Sequence, residues 1–212
     1  MKLLIIEDHP VVRAGLRRLL GGEPQLAIDE AADGHAALAA LRNARPDLVI
    51  LDLNLPGIGG LELIGRLRLA QPGLRILVVS MHDAPIYAAR ALEAGALGYV
   101  SKNAPPEQVL AAVRRVAAGQ VYIEQDIAQQ LALRNLGGGP PLLETLSPRD
   151  VEILRRLGEG SSLAEIARGI GVSYKTVANH CSQLKTKLAT PRLADLIRLA
   201  IASGISSTPP VG

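Results

Sequence analysis

The chain is poor in cysteine and in aromatic residues. Its 212 residues include one cysteine and four tyrosines but neither phenylalanine nor tryptophan. A single thiol, Cys181, cannot form an internal disulfide, and this composition is typical of a reducing compartment. A core without large rings must be built from Leu, Ile, Val and Ala, which is feasible because 48% of the residues are hydrophobic.

Long apolar runs are absent as well. No uninterrupted run approaches the ~20 residues that a membrane-spanning helix needs, and Glu7 and Asp8 interrupt the amino terminus before a signal-peptide core could form. We therefore expect a soluble, cytoplasmic protein with no membrane partner. The length favours one ordinary domain and a smaller second one.

Charge is divided unevenly along the chain. Residues 1–141 carry 14 basic and 14 acidic side chains, whereas residues 142–212 carry 9 basic and 6 acidic ones. Between Glu165 and Asp195 every charged side chain is basic. A basic stretch on a small domain fits a polyanionic partner, although a charge run is usually just a solvated face.

Short apolar runs alternate with helical patterns through the first part of the chain. Apolar runs without polar alternation are typical of strands that are buried on both faces. The alternation predicts an α/β domain at residues 1–119, a doubly wound, five-stranded parallel sheet of the flavodoxin-like (CheY-like) type. The predicted strands are Leu3–Ile6, Leu26–Ile28, Leu48–Leu51, Leu74–Val79 and Ala96–Val100.

The composition changes after this region. Three glycines and two prolines at residues 137–141 indicate a linker, which we place at 120–141 and which could hold one helix. Residues 142–207 contain four helical patterns and predict a small all-α domain, followed by a tail at 208–212. A short helix, a turn at Gly171 and a basic helix form a helix-turn-helix pattern at about 163–182.

Polar residues follow the predicted strands at the edge where open parallel sheets bind ligands. Grouped carboxylates repel one another and favour a cation, and oxygen ligands favour Mg²⁺. With charge neutralised, a carboxylate can attack phosphorus and form an acyl phosphate. Solvation of loop starts could explain each residue singly but not the ordered set. The set consists of Glu7, Asp8, Asp52, Ser80 and Lys102.

This combination resembles the receiver domain of two-component response regulators, over residues 1–119. The resemblance implies that Asp52 is the phosphoacceptor. It also implies a Mg²⁺ site formed by Glu7, Asp8, Asp52 and the backbone carbonyl of Asn54, with Glu7 acting through water.

Three more positions match the receiver pattern. Ser80 would hydrogen-bond the phosphoryl group, Lys102 would pair with it, and Tyr99 would be the aromatic side chain whose rotamer reports phosphorylation. Other polar residues are interpreted as structural. We expect His9 to be a loop or packing residue. The residues expected at the surface are His35, His82 and, on the first helix, Arg13, Arg17 and Arg18.

The C-terminal part looks like the LuxR-type DNA-binding domain. The resemblance rests on Leu146–Arg149, Glu165–Ala167 and Ser173–His180, while Ala189-Thr190 replaces the usual Gly-Val after the recognition helix. In a helix-turn-helix the second helix enters the major groove.

Lysines on that helix would neutralise phosphates and polar side chains would offer hydrogen bonds. The base-reading positions of the LuxR-type family correspond to Ala178, Asn179 and Ser182. The predicted DNA-contacting residues are Lys175, Thr176, Ala178, Asn179, His180, Ser182, Gln183, Lys185 and Lys187.

Together the two parts resemble the NarL/FixJ class of response regulators, UhpA-like members most of all. The implied function is a transcription factor that accepts a phosphoryl group on Asp52 from a cognate histidine kinase, which controls dimerisation and sequence-specific binding to double-stranded promoter DNA. The implied cofactor is Mg²⁺, and RNA polymerase is a further candidate partner. Enzymatic activity would not exceed slow Mg²⁺-dependent self-phosphorylation and self-dephosphorylation.

Other functions stay open on the sequence. An aspartyl-phosphate hydrolase generally needs a second Asp two residues after the nucleophile, where Asn54 stands. A dinucleotide-binding protein needs a Gly-rich turn after the first strand, where Asp8-His9-Pro10 stands. A regulator that works without phosphorylation would use Asp52 only structurally, and the C-terminal part could be a plain four-helix bundle with a basic face.

Overall fold

The computed structural model describes residues 1–22, 26–137 and 145–206, which divide into two compact units. The first unit ends at Leu131 and the second begins at Ala132. The predicted Gly-Pro linker core at 138–141, the start of the predicted DNA-binding domain at 142–144 and the tail at 208–212 lie outside the described residues. Within the described ranges, no helix is long and apolar enough to cross a membrane.

The first unit is built on a parallel sheet whose order is β2-β1-β3-β4-β5-β6. This is the flavodoxin-like order with one strand added, so the predicted fold is confirmed. The strands are β1 (Lys2–Ile6), β2 (Ala27–Ala31), β3 (Leu48–Leu51), β4 (Arg75–Ser80), β5 (Gly98–Ser101) and β6 (Tyr122–Ile123). The helices are α1 (Pro10–Leu20), α2 (Gly34–Ala44), α3 (Gly60–Ala70), α4 (Pro85–Glu93) and α5 (Pro106–Ala117).

The predicted strand count was wrong by one. Gly119, with φ of 77°, turns the chain after α5 and lets β6 pair with β5 in parallel. The Tyr122 amide donates to the Leu97 carbonyl at 3.0 Å. A two-residue strand is too short to produce a hydrophobic period, because its identity depends on the backbone partner rather than on its own side chains.

One face of the sheet and two helices form an aliphatic core. Alternate residues of β1, β3, β4 and β5 point to the same side, as strand geometry requires, and pack with Leu16 and Leu20 of α1 and with Val109 and Val113 of α5. On the opposite side of the sheet, α2 packs against α3 and α3 packs against α4. The predicted Leu, Ile, Val and Ala core is therefore present, and it fixes the strand ends that carry the polar residues.

Helix α3 begins directly behind the end of β3. Gly60, its first residue, is buried, and its amide donates to the Leu53 carbonyl at 3.1 Å. A Cβ at this position would overlap the Cα of Leu53 and lie 2.7 Å from the Asp52 carbonyl oxygen. Only glycine lets the helix approach this backbone so closely.

A long helix, α6 (Gln125–Gly137), lies within the predicted linker and contains the residues at which the first unit ends and the second begins. After α6, the described residues 145–206 form four helices, as the sequence predicted: α7 (Pro148–Gly158), α8 (Leu163–Gly169), α9 (Tyr174–Lys187) and α10 (Leu193–Ala202). The predicted bounds of 1–119, 120–141 and 142–207 for domains and linker stay predictions.

Serine residues cap three helices of the second unit, α7, α8 and α9. Ser147 and Ser162 each form a capping box, with Asp150 and Glu165 respectively, and Ser173 caps α9 by accepting the Thr176 amide. Gly171, with φ of 69°, makes the turn between α8 and α9. The predicted helix-turn-helix is therefore formed by α8 and α9.

Gly60→Ala should destabilise the first unit by about 1–3 kcal/mol, because the added methyl group meets backbone atoms that cannot move aside. Gly65→Ala in the same helix is the matched control. Its Cβ would meet no described atom within 4 Å, so better helix propensity should stabilise by up to ~1 kcal/mol. Urea unfolding followed by circular dichroism measures both, and equal effects of the two substitutions would contradict the close approach.

Candidate functional site

The carboxyl ends of β1 and β3 bring three carboxylates together. Ile6 and Leu51 are register partners, so Glu7 and Asp52, the residues that follow them, lie next to each other. The Asp52 amide donates to the Ile6 carbonyl at 2.9 Å. One oxygen each from Glu7, Asp8 and Asp52, together with a ring nitrogen of His9, all lie within 4.8 Å of one another. Glu7 and Asp52 are buried, with exposures of 1% and 2%.

Lys102 is the cation of this cluster. Its Nζ lies 2.6 Å from Glu7 Oε2 and 2.8 Å from Asp52 Oδ2. Burial acts to lower the pKa of Lys102, but the charges and hydrogen bonds of Asp52 and Glu7 outweigh it and raise the pKa. Lys102 therefore keeps its positive charge between the two carboxylates.

The cluster has spare acceptor capacity that fits a hard cation. Asp52 Oδ1 is buried and accepts no hydrogen bond from any described residue, while Lys102 occupies only the other oxygen. A buried carboxylate oxygen without a donor is costly unless a cation or water satisfies it. Carboxylate oxygens are ligands that suit Mg²⁺. The exposed ring of His9, bonded to Asp8 Oδ1 at 2.8 Å, completes the rim of the cluster.

Ser80 and Tyr99 are both buried, and both bind the backbone of one residue, His82. The His82 amide donates to Ser80 Oγ at 3.2 Å, and the Tyr99 hydroxyl donates to the His82 carbonyl at 2.6 Å. Burial raises the pKa of the Tyr99 hydroxyl, which keeps it a donor. Ser80 also accepts the Lys102 amide on its carbonyl oxygen at 2.8 Å, so the ends of β4 and β5 are joined.

The prediction that His82 is a surface residue was wrong. Its side chain is partly buried: the ring stacks on Tyr87 with centroids 4.4 Å apart, and Nε2 lies 3.1 Å from Asn54 Oδ1. His82 thus connects the segment after β3 with the segment after β4. Nothing in the local sequence indicates the contact with Asn54, because Asn54 lies 28 residues away along the chain. The carbonyl of Asn54 as a metal ligand stays a prediction.

Arg13 was also interpreted wrongly as a solvated residue of the first helix. Its Nη1 donates to the Glu7 carbonyl at 2.7 Å and its Nε to Glu30 Oε2 at 3.1 Å. Arg17 shares the partner Glu30, at 2.7 Å, but does not reach Glu7. Hydrogen bonds from Arg17 and Arg13 lower the pKa of Glu30, which therefore stays charged. The signal was present: Arg13 stands three residues before Leu16, at the border of the buried face.

Helix α9 has a buried and an outward face, as its period requires. Val177, Cys181 and Leu184 are buried in the core of the second unit. Exposed positions on α9 include a lysine at the first turn and polar side chains one and two turns later. Of the predicted contact residues, Lys175, Asn179, Ser182, Gln183 and Lys187 are exposed, and Thr176, Ala178, His180 and Lys185 are partly buried.

Two of these residues bind a buried carboxylate in their own unit. Lys187 Nζ lies 2.9 Å from Asp150 Oδ2, and His180 Nδ1 lies 3.3 Å from Asp150 Oδ1. Burial acts to raise the pKa of Asp150, but hydrogen bonds from Lys187, Ser147 and His180 outweigh it and lower the pKa. His180 and Lys187 thereby fix α9 to the start of α7, and a DNA contact by either stays a prediction.

Comparison with known families identifies both units. The model of the response regulator receiver domain matches residues 3–114, and the model of bacterial regulatory proteins of the luxR family matches residues 144–200. Transcriptional activator protein ExaE of Pseudomonas putida is 44% identical over 209 residues, 97% of this chain and 98% of ExaE. Response regulator UvrY of Escherichia coli K12 is 34% identical over 210 residues, 97% of this chain and 95% of UvrY.

A solved structure shares the architecture. It is RcsB from Salmonella enterica serovar Typhimurium, bound to the promoter rprA in the presence of the phosphomimetic BeF₃⁻. The TM-score is 0.71 at 26% identity, over 93% of this chain and 96% of RcsB.

Proposed function

Because the chain belongs to the two-component response regulators of the NarL/FixJ type, with a receiver domain and a LuxR-family DNA-binding domain, we propose that phosphorylation of Asp52 controls its binding to promoter DNA. The observation that carries this proposal is the state of the Asp52 carboxylate. It is buried, one oxygen is bound by Lys102, and the other has no partner among the described residues.

In the proposed transfer, an Asp52 oxygen forms a bond to phosphorus as the bond between phosphorus and the donor's leaving group breaks. Lys102 then pairs with a phosphoryl oxygen, since it already lies 2.8 Å from Asp52. Mg²⁺ would be held by Glu7, Asp8 and Asp52, with the Asn54 carbonyl, and when bound supplies positive charge for the phosphoryl oxygens. A cognate histidine kinase is the expected donor, and self-phosphorylation and self-dephosphorylation would be slow.

The proposed signal leaves the site through His82. A new phosphoryl group offers acceptor oxygens to the Ser80 hydroxyl, which now accepts the His82 amide. Reorienting Ser80 changes that bond, and His82 also accepts the Tyr99 hydroxyl. Tyr99 is then released to another rotamer, which alters the surface formed by α4 and β5 and favours dimerisation.

The proposed DNA contact is the outward face of α9. Lys175 would neutralise a phosphate, while Asn179 and Ser182 would reach base edges in the major groove. A dimer would present two such helices to half-sites about one DNA turn apart, ~34 Å. The RcsB structure combines promoter DNA with a phosphomimetic, and that combination supports this sequence of events. RNA polymerase remains a further candidate partner.

Asp52→Ala should abolish labelling of the full chain by acetyl phosphate and Mg²⁺, because the nucleophilic oxygen is removed. Asp47→Ala is the control: Asp47 lies just before the opposite end of the same strand, where it accepts the Lys2 amide, and should leave labelling unchanged. Intact-protein mass spectrometry measures the bound phosphoryl group. Labelling that persists in the Asp52 variant would place the acceptor elsewhere.

Arg13→Met should weaken Mg²⁺ binding by roughly tenfold, because Arg13 holds the Glu7 carbonyl and orients the carboxylates that follow β1. Arg17→Met removes the other arginine of the Glu30 pair but no contact with Glu7, so its Mg²⁺ affinity should match that of the unmodified chain. Isothermal titration calorimetry measures both. If both variants bind Mg²⁺ equally well, Arg13 does not position the site.

Lys175→Ala should weaken binding to a random-sequence duplex and lower the slope of log affinity against log salt by about 1, because one phosphate contact is lost. Lys187→Ala removes the same charge from the same helix, but that ammonium is bound to Asp150. It should lower the slope by less than Lys175→Ala does, because its charge is already paired with Asp150, and lower stability by about 1 kcal/mol. Fluorescence anisotropy of the phosphodonor-treated chain, measured over a range of salt concentrations, gives the slope for each variant. Equal slopes for the two variants would contradict the proposed outward face.

A further inference from the structure

Glu124 stands between β6 and α6, and each of its polar groups makes a different connection. Its amide donates to the Tyr99 carbonyl at 3.1 Å, which completes the sheet. Its carbonyl accepts the Ala128 amide at 2.9 Å, which begins α6. Its carboxylate oxygen Oε2 accepts the Ser101 amide at 2.7 Å.

The side chain takes the place of a strand carbonyl. The β5–β6 pairing ends at Tyr99 and Ile123, and the next donor on that edge of β5 is the amide of Ser101, a residue only 4% exposed. In a continuing strand the Glu124 carbonyl would accept it, but that carbonyl is already used by α6. A buried amide needs an acceptor, and the Glu124 carboxylate supplies one.

Ser101, whose amide donates to the Glu124 carboxylate, is the residue immediately before Lys102. On the other side, the Lys102 amide donates to the Ser80 carbonyl at 2.8 Å. The end of β5 is therefore held from both edges, by β4 and by Glu124. The backbone position at this end of β5 determines where the Lys102 side chain begins and so how it contacts Glu7 and Asp52.

We infer that Glu124 is a positioning residue that joins the Lys102 end of β5 to the first turn of α6, so that a change at Asp52 is passed to the helix that leads into the second unit. The inference rests on the proposed function. When Lys102 moves from the Asp52 oxygen to a phosphoryl oxygen, the backbone of Ser101 and Lys102 shifts with it. The carboxylate bonded to Ser101 belongs to the residue whose carbonyl starts α6, so this shift reaches the helix directly.

A favourable charge at the start of α6 does not by itself account for these contacts. Asp126, two residues later, also places a negative charge in the first turn, but it is exposed and makes no hydrogen bond to β5 within the described part of the chain. Comparing variants of these two acids therefore separates helix-dipole stabilisation from the specific hydrogen bond to Ser101. Asp126→Ala is the matched control for Glu124→Ala, and Glu124→Gln keeps an acceptor oxygen without the charge.

The experiment compares the unmodified full chain with these three variants before and after treatment with acetyl phosphate and Mg²⁺. Hydrogen exchange of single amides by NMR follows Ser101 and the amides of α6, and intact mass follows labelling of Asp52. In Glu124→Ala the Ser101 amide should exchange about tenfold faster or more, because one buried hydrogen bond is lost. Labelling should still occur, but the response of α6 to labelling should disappear. Glu124→Gln should restore both the Ser101 protection and the α6 response, and Asp126→Ala should behave as the unmodified chain.

The outcomes separate this inference from the proposed function. Absence of labelling in the unmodified chain would overturn the proposed function, while Ser101 exchange would still test the role of Glu124 at β5. An unmodified chain that is labelled without any response of α6 would overturn the inference alone. Unchanged Ser101 exchange in Glu124→Ala, or an α6 response equal to that of Asp126→Ala, would overturn it as well.

Discussion

The bond network of Lys102 is the constraint on which the first unit depends. One partly buried ammonium group faces two buried carboxylates, those of Glu7 and Asp52. Buried charges are expensive unless they are paired, and a single cation cannot compensate a cluster that also includes Asp8. The strand ends are therefore fixed in an arrangement that favours added positive charge, and Lys102 links the Asp52 carboxylate directly to β5.

The sheet and its polar edge could be predicted because they follow from local patterns. Each apolar run defines a strand, parallel strands place their carboxyl ends at one edge, and Glu7, Asp52 and Lys102 each follow such a run. The rule needs no knowledge of side-chain partners. For the same reason the helix-turn-helix was predictable, since Ser173 and Gly171 mark the start of a helix and a turn within the sequence itself.

Two contacts that the sequence did not predict depend on distant partners. His82 meets Asn54 across 28 residues, and Lys187 meets Asp150 across 37, so no local pattern indicates either contact. A local sequence pattern does not show backbone strain either, although one departure from the family pattern marked a strained position. Ala189 replaces the usual glycine and has φ of 50°, in the left-handed region that favours glycine, and the buried hydroxyl of the next residue, Thr190, has no partner among the described residues.

The scarcity of aromatic residues gives the molecule an optical property. With no tryptophan and no phenylalanine, its near-ultraviolet absorption and emission come almost entirely from four tyrosines. Tyr99 and Tyr87 contact His82, Tyr122 lies on β6 beside β5, and Tyr174 is the exposed first residue of α9. Three of the four chromophores thus lie near the proposed signalling residues and the fourth on the helix proposed to contact DNA, so spectroscopy without any attached dye reports on each of these two regions.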